Sequence, residues 1–217
     1  MDTVFSILRS TLFLFLMVSG AHAVAAKPTL LILGDSLSAA YGVETERAWV
    51  SLLEQRLVDE GYQHWRVANA SISGETTDGG LRRLPGLLER HQPAVVVIEL
   101  GGNDGLRGFP PNVIQQNLAA MVALTQDAGA QVLLVGIQIP PNYGPRYMAA
   151  FAETFQAVAR DYQAPLVPFF LEGIYDQPGM MQDDGIHPTT AAQPQMLDNV
   201  WPALEPLLQD AAVAQRP

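Results

Sequence analysis

The chain has 217 residues, of which 48% are hydrophobic and 16% charged, enough for one domain with a substantial buried core. Its formal net charge of −10 argues against nucleic-acid binding, since phosphates attract basic surfaces. The same charge disfavours electrostatic docking on anionic membranes. The chain contains no cysteine, which excludes disulfide bonds, thiolate nucleophiles and cysteine-ligated zinc.

The N-terminus has the features of an export signal. Arg9 supplies a positive charge, residues 12–18 form a short apolar core, and residues 21–23 read Ala-His-Ala, the A-x-A pattern of a cleavage site. The apolar run is shorter than the roughly 20 residues that a membrane-spanning helix needs. A buried N-terminal helix is the other alternative, and the pattern favours a signal peptide over both.

Cleavage is predicted after Ala23 or Ala26, so that residues 1–26 form the signal peptide and residues 27–217 form a single domain. Its removal takes away one Asp and one Arg, which leaves the net charge at −10. We therefore expect a periplasmic or secreted protein that keeps no membrane anchor.

Hydrophobic periodicity predicts strands and helices that alternate along the rest of the chain. Short apolar runs predict five strands, at residues 30–33, 66–70, 94–100, 132–137 and 165–169. Amphipathic spacing predicts five helices, at residues 46–60, 77–91, 111–127, 146–161 and 194–208. Internal prolines are expected to kink the second helix at Pro85 and to weaken the last at Pro202 and Pro206. This alternation indicates an α/β fold with a parallel sheet and helices on both faces.

Polar residues follow several of the predicted strands. Ser36 comes directly after the first strand, residues 71–76 follow the second, and Asn103 follows the third. Because the carboxyl ends of parallel strands meet at one edge of a sheet, these residues are expected to lie close together. Asp184 and His187 come after the fifth strand and can reach the same edge. Taken alone, Ser36 could equally be a helix cap, and the Asp-x-x-His-Pro sequence could be a surface turn or a metal-binding site.

Together these residues match the needs of nucleophilic catalysis. A serine hydroxyl is a weak nucleophile and needs a base, for which His187 is the natural candidate near pH 7. A carboxylate on the other ring nitrogen holds the base in place, and either Asp184, three residues before His187, or its neighbour Asp183 could supply it. The candidate donors to a developing oxyanion are the Ser36 backbone, the Gly74 backbone and the Asn103 side-chain amide.

These candidate residues belong to four short blocks, at residues 34–37, Gly74, residues 101–104 and residues 184–188. The blocks resemble those of the GDSL, or SGNH, hydrolases, and within that family the periplasmic thioesterase/lysophospholipase branch. The resemblance implies that Ser36 is the nucleophile, His187 the base and Asp184 its partner, with Ser36, Gly74 and Asn103 forming the oxyanion hole. It also implies a three-layer αβα sandwich with a flavodoxin-like sheet of about five strands. Members of this family hydrolyse acyl-CoA thioesters, lysophospholipids and simple carboxylic esters without a metal or cofactor.

Other functions remain open at this level. A carbohydrate acetyl esterase uses the same catalytic residues, and a non-catalytic flavodoxin-like binding module would share the fold. Ser38 stands where the nucleophile elbow of α/β-hydrolases has glycine, so that motif is absent. Acyl-CoA is cytosolic, so an exported enzyme would rarely meet it, and we therefore expect a small-molecule acyl ester or lipid, such as a lysophospholipid, as the substrate. We also expect the enzyme to be a monomer.

Residues near the candidate catalytic side chains are expected to hold loops in place or to border the acyl site. Asp35 and Asp104 are predicted to hold loops through backbone hydrogen bonds rather than to transfer protons. Met180 and Met181 could line a lipid pocket or simply pack in the core, and the sequence does not separate these alternatives. Residues 105–110 could be either a mobile lip over the acyl site or a rigid surface loop.

Overall fold

The computed structural model describes residues 27–214, with side chains as far as residue 211, so the predicted signal peptide lies outside the described residues. The strands are β1 (Thr29–Gly34), β2 (Arg66–Asn69), β3 (Val95–Glu99), β4 (Gln131–Val135) and β5 (Leu166–Val167). The helices are α1 (Trp49–Asp59), α2 (Thr77–His91), α3 (Gly102–Leu106), α4 (Pro111–Asp127), α5 (Pro145–Tyr162) and α6 (Gln193–Ala214).

The five strands form one parallel sheet in the order β2-β1-β3-β4-β5. Every residue of β1 and β3 is buried, because helices cover both faces of the sheet. Helices α1 and α6 pack together in one layer, and α4 lies between α2 and α5 in the other. The predicted three-layer αβα sandwich with flavodoxin-like strand order is therefore confirmed.

The order of the strands places a crevice at the carboxyl ends of β1 and β3. After β1 the chain moves to β2 on one side of the sheet, and after β3 it moves to β4 on the other side. The connections that follow the neighbouring strands β1 and β3 therefore leave in opposite directions. Ligands of open α/β sheets bind at such a point. Their pairing aligns Gly34 with Glu99, and the residues that follow both strands emerge side by side.

The first helix begins later than the predicted residue 46. A 3₁₀ turn covers Thr45–Arg47, and the extended backbone of Ala48 separates it from α1. The side-chain oxygen of Gln193 accepts the backbone N–H of Trp49 at 3.0 Å, which satisfies one of the free N–H groups at the start of the helix. A contact from so far along the chain could not be expected from local periodicity.

The last helix extends to Ala214 and runs through both of its internal prolines, Pro202 and Pro206. Its buried face packs on the sheet and on α1 through Met196, Leu197, Val200, Leu204 and Leu208. This packing outweighs the loss of the backbone hydrogen bonds that the prolines cannot donate. Helix α2 likewise continues through Pro85. Within residues 27–214, none of the helices combines the length and apolarity needed to cross a membrane.

Candidate active site

Ser36 lies in a tight turn directly after β1. The strand ends at Gly34, where a Cβ would come within 2.7 Å of the Glu99 carboxylate and 2.8 Å of the Ser38 hydroxyl. Only glycine allows this close approach. Two backbone hydrogen bonds then close the turn that presents the serine. The Ala39 N–H donates to the Asp35 carbonyl at 2.9 Å, and the Tyr41 N–H donates to the Ser36 carbonyl at 3.2 Å.

The structure brings Ser36, His187 and Asp184 into one hydrogen-bonded series. The Nε2 atom of His187 is 3.0 Å from Ser36 Oγ, and its Nδ1 is 2.6 Å from Asp184 Oδ2. Because a carboxylate can only accept, we assign the ring proton to Nδ1, which leaves Nε2 free to accept from the serine hydroxyl. Asp183 is exposed and makes no hydrogen bond to the imidazole within the described residues.

Asp184 is held as an anion by its own loop. Its Oδ1 atom accepts the backbone N–H groups of Ile186 and His187 at 2.9 and 3.0 Å. Hydrogen bonding from the backbone of His187, the largest cause, lowers the pKa of Asp184 to about 2. The carboxylate beside the imidazole is therefore ionised across the neutral range.

Each of the three predicted oxyanion donors has an N–H group that is free to bind a ligand. Within residues 27–214, the backbone N–H groups of Ser36 and Gly74 have no acceptor. The Asn103 amide donates one N–H to Asp35 Oδ2 at 2.9 Å and retains a second. Ser36 and Asn103 line the cavity, whereas Gly74 is exposed, in the left-handed region at φ 79°. The guanidinium of Arg107, at the end of α3, donates to the Gly74 carbonyl at 3.1 Å and ties that loop to the helix that carries Asn103.

The side chain of Asp35 does more than the predicted loop-holding. Its Oδ1 atom accepts the Leu37 backbone N–H at 3.0 Å, which confirms the prediction. Its bond to the Asn103 amide was not anticipated from the sequence. This bond joins the turn after β1 to α3, so Asp35 holds the amide of Asn103 in the cavity beside the serine.

Glu99, the last residue of β3, is a second buried acid that the sequence reasoning missed. Its Oε2 atom accepts the Ser38 hydroxyl at 2.7 Å and the Asp35 backbone N–H at 3.3 Å, so it supports the serine turn from below. Burial raises the pKa of Glu99 well above its usual value and raises that of Asp35 to about 6. A single acid in an otherwise apolar buried strand was the available signal.

Asp104 holds a different junction. Its two carboxylate oxygens accept the Thr77 hydroxyl at 2.6 Å and the Thr77 backbone N–H at 2.9 Å. Burial raises the pKa of Asp104, while these bonds to Thr77 act in the opposite direction. The predicted role in holding a loop is confirmed, since the bonds fix the start of α2 against α3.

A cavity of about 190 Å³ opens beside Ser36. Its walls are mostly apolar, formed by Leu37, Leu106, Ile137, Ile139, Pro140, Leu171, Tyr175, Met181 and Ile186. Met180 and Met181 both pack against the core, and Met181 also lines the cavity. The space next to the serine is suited to a hydrocarbon group.

The segment 105–110 begins within α3 and is attached to the following elements. The hydroxyls of Tyr143 and Tyr147 donate to the carbonyls of Leu106 and Phe109, both at 2.6 Å. Leu106 also lines the cavity, so this segment forms one of its walls.

A serine, a histidine and a carboxylate in hydrogen-bonded series, at the carboxyl edge of a parallel α/β sheet, define a serine hydrolase. Comparison with known proteins gives the particular family. A model of the GDSL-like Lipase/Acylhydrolase family matches residues 32–193. The chain belongs to this family, and it is a serine ester hydrolase.

Similar proteins carry matching descriptions. Esterase TesA of Pseudomonas aeruginosa is 59% identical over 199 residues, which cover 89% of this chain and 98% of that protein. Thioesterase 1/protease 1/lysophospholipase L1 of Escherichia coli K12 is 48% identical over 196 residues, covering 90% and 92%. The crystal structure of the psychrotrophic esterase EstA from Pseudoalteromonas sp., inhibited by monoethylphosphonate, has a TM-score of 0.79 at 47% identity and covers 83% and 98%.

The buried acids predict how stability depends on pH. A carboxyl whose pKa is raised on folding binds more protons in the folded state, so stability is lost as pH rises through the folded pKa. Between about pH 5 and pH 7.5, the contribution of Glu99 and Asp35 to the free energy of unfolding should therefore fall as pH rises. Glu99→Gln should reduce this dependence, since an amide oxygen can still accept from Ser38 but does not titrate.

Urea unfolding at pH 5 and pH 7.5 measures the effect. The exposed Glu54 on α1 offers a matched control, since Glu54→Gln is the same substitution at a position away from the buried network. A Glu99→Gln variant with the same pH dependence as the wild type would contradict the assignment of a raised pKa to Glu99.

Proposed function

We propose that Ser36 is the nucleophile of this hydrolase and that His187 is its general base. Ser36 Oγ attacks the ester carbonyl carbon while its proton passes to His187 Nε2, 3.0 Å away. The tetrahedral intermediate expels the alcohol or thiol, which takes the proton from His187, and an acyl group remains on Ser36. Water then attacks this acyl-enzyme and loses a proton to His187, which returns it to Ser36 Oγ as the bond between the acyl carbon and the serine oxygen breaks and the carboxylic acid leaves. The 3.0 Å contact is the observation that carries this proposal.

Asp184 has the role of orienting the base. Its carboxylate fixes the imidazole tautomer through the 2.6 Å bond to Nδ1. It also stabilises the imidazolium that forms in each step, without itself becoming protonated. The lowered pKa of Asp184 supports this role, because the carboxylate stays charged near neutral pH.

The proposed oxyanion hole consists of the backbone N–H groups of Ser36 and Gly74 and the side-chain amide of Asn103. Their free N–H groups support this role, since preorganised donors stabilise charge that develops only near the transition state. Asp35 and Arg107 reduce the freedom of two of these donors by binding the Asn103 amide and the Gly74 carbonyl.

Asn103→Ala tests this assignment. Loss of one oxyanion donor should cost roughly 2.7–4 kcal/mol, or about 10²–10³ in kcat. KM should hardly change, since the ground-state carbonyl oxygen does not occupy the oxyanion position. Steady-state hydrolysis of p-nitrophenyl esters measures both constants. Asn112→Ala is a suitable control, because this exposed asparagine on α4 does not line the cavity. An Asn103→Ala variant with a raised KM and an intact kcat would make Asn103 a substrate-binding residue instead.

We propose that the acyl chain of the substrate lies in the apolar cavity beside Ser36. This arrangement favours lipid-like acyl esters such as lysophospholipids, in agreement with the lysophospholipase and esterase names of the relatives. Thioesters can react by the same steps, but a net charge of −10 provides no attraction for the phosphates of acyl-CoA. A carbohydrate acetyl esterase, the alternative within this chemistry, has no need of an apolar cavity.

A series of p-nitrophenyl esters of increasing acyl length distinguishes the two substrate classes. Each CH₂ that enters the cavity is worth about 0.8 kcal/mol, or roughly a three- to fourfold rise in kcat/KM, until the cavity is full. The acetyl ester should therefore be the poorer substrate. A fall in kcat/KM from the acetyl ester onward would contradict the acyl-chain proposal and favour the acetyl esterase.

We propose further that the protein is exported, on the strength of its N-terminal sequence. Intact-mass measurement of the periplasmic or secreted form should show a new N-terminus at Val24 or Lys27. Leu14→Arg interrupts the apolar core and should leave full-length protein in the cytosol. Full-length wild-type protein found in the soluble cytosol would contradict the proposal.

A further inference from the structure

The residues His187 and Asp184 are carried by a short hairpin, residues 181–188. Met181 and Pro188 form an isolated antiparallel bridge at its base. Inside it, the Gln182 backbone N–H donates to the His187 carbonyl at 2.7 Å. The four residues at its tip, residues 183–186, are exposed. Packing against the rest of the protein therefore holds the hairpin at its base.

Two hydrogen bonds join this hairpin to other parts of the chain described by the structure. One is the 3.0 Å contact between His187 and Ser36. The other runs from the side-chain amide of Gln182 to the backbone carbonyl of Tyr41, also at 3.0 Å. The second bond therefore connects the hairpin to the turn that presents the serine, independently of the reacting groups.

The amide of Gln182 is placed between the two loops. Its Nε2 atom also donates to the Pro188 carbonyl at 3.0 Å, on the C-terminal side of the histidine. It lies so close to Gly42 that a Cβ there would collide with it. The bond to the Tyr41 carbonyl also helps to hold that residue, whose ring packs on the imidazole of His187 with centroids 4.3 Å apart.

We propose that Gln182 is a positioning residue that fixes the distance between His187 and Ser36. This inference rests on the proposed roles of those two residues. Proton transfer needs donor and acceptor within hydrogen-bond reach, and a displacement of about 1 Å can cost on the order of 10² in rate. The amide donates its two N–H groups to two backbone carbonyls. It thereby holds the hairpin, whose tip is exposed, at a fixed distance from the serine turn.

Gln182→Ala should lower kcat for p-nitrophenyl acetate roughly 10- to 100-fold and leave KM nearly unchanged. Gln182→Glu should be at least as damaging, because a carboxylate would face two carbonyl oxygens with no proton to donate. Gln177→Ala is the control: the side chain of this exposed glutamine, a few residues before the hairpin, bonds the neighbouring Asp176 side chain and no other group within residues 27–214, so the variant should keep the wild-type kcat. A Gln182→Glu variant with wild-type kcat would overturn the proposal.

A second background separates positioning from general damage to the fold. If Gln182 acts through His187, adding Gln182→Ala to His187→Ala should change the residual rate by less than about twofold. A further large loss in that background would indicate a structural role and overturn the proposal. The His187→Ala variant also tests the proposed function by itself: full activity would refute the role of His187, whereas an impaired His187→Ala beside a fully active Gln182→Ala would refute only the inference about Gln182.

Discussion

The parallel pairing of β1 with β3 is the constraint on which the site depends. It aligns Gly34 with Glu99, so the two strands end together and their following turns emerge at one edge. Because Gly34 has no side chain, the carboxyl group of Glu99 fits beneath the serine turn and binds it. Asp35 then reaches across to Asn103, and this 2.9 Å bond joins the end of one strand to the helix that follows the other.

Carboxylates around the serine differ in their environments, and their pKa values differ accordingly. Asp184 is on an exposed hairpin and accepts backbone N–H groups, which lowers its pKa to about 2. Asp35 and Glu99 are buried, and desolvation raises the pKa of both. The exposed acid can therefore serve the imidazole as a stable anion, while the buried acids brace the turn at some cost in stability at neutral pH.

Local sequence predicts the parts of this structure that depend on local chemistry. The buried strands and amphipathic helices follow from hydrophobic periodicity, except for α3, which is too short to show a helical period. Ser36, Asn103 and His187 are found from the polar residues that come after predicted strands. The contacts that orient these side chains depend on residues far apart in sequence. The Asp35–Asn103 bond spans 68 positions and the Gln182–Tyr41 bond spans 141, and no pattern within either segment indicates its partner.

Mass spectrometry of protein treated with a fluorophosphonate shows whether Ser36 carries the acyl group. We expect one adduct, on the peptide that contains Ser36, and none on a folded Ser36→Ala variant, whose kcat should fall on the order of 10⁶. Ser51→Ala, a change on α1 away from the cavity, should label and turn over like the wild type. An adduct on another residue, or wild-type hydrolysis by Ser36→Ala, would mean that Ser36 is not the nucleophile.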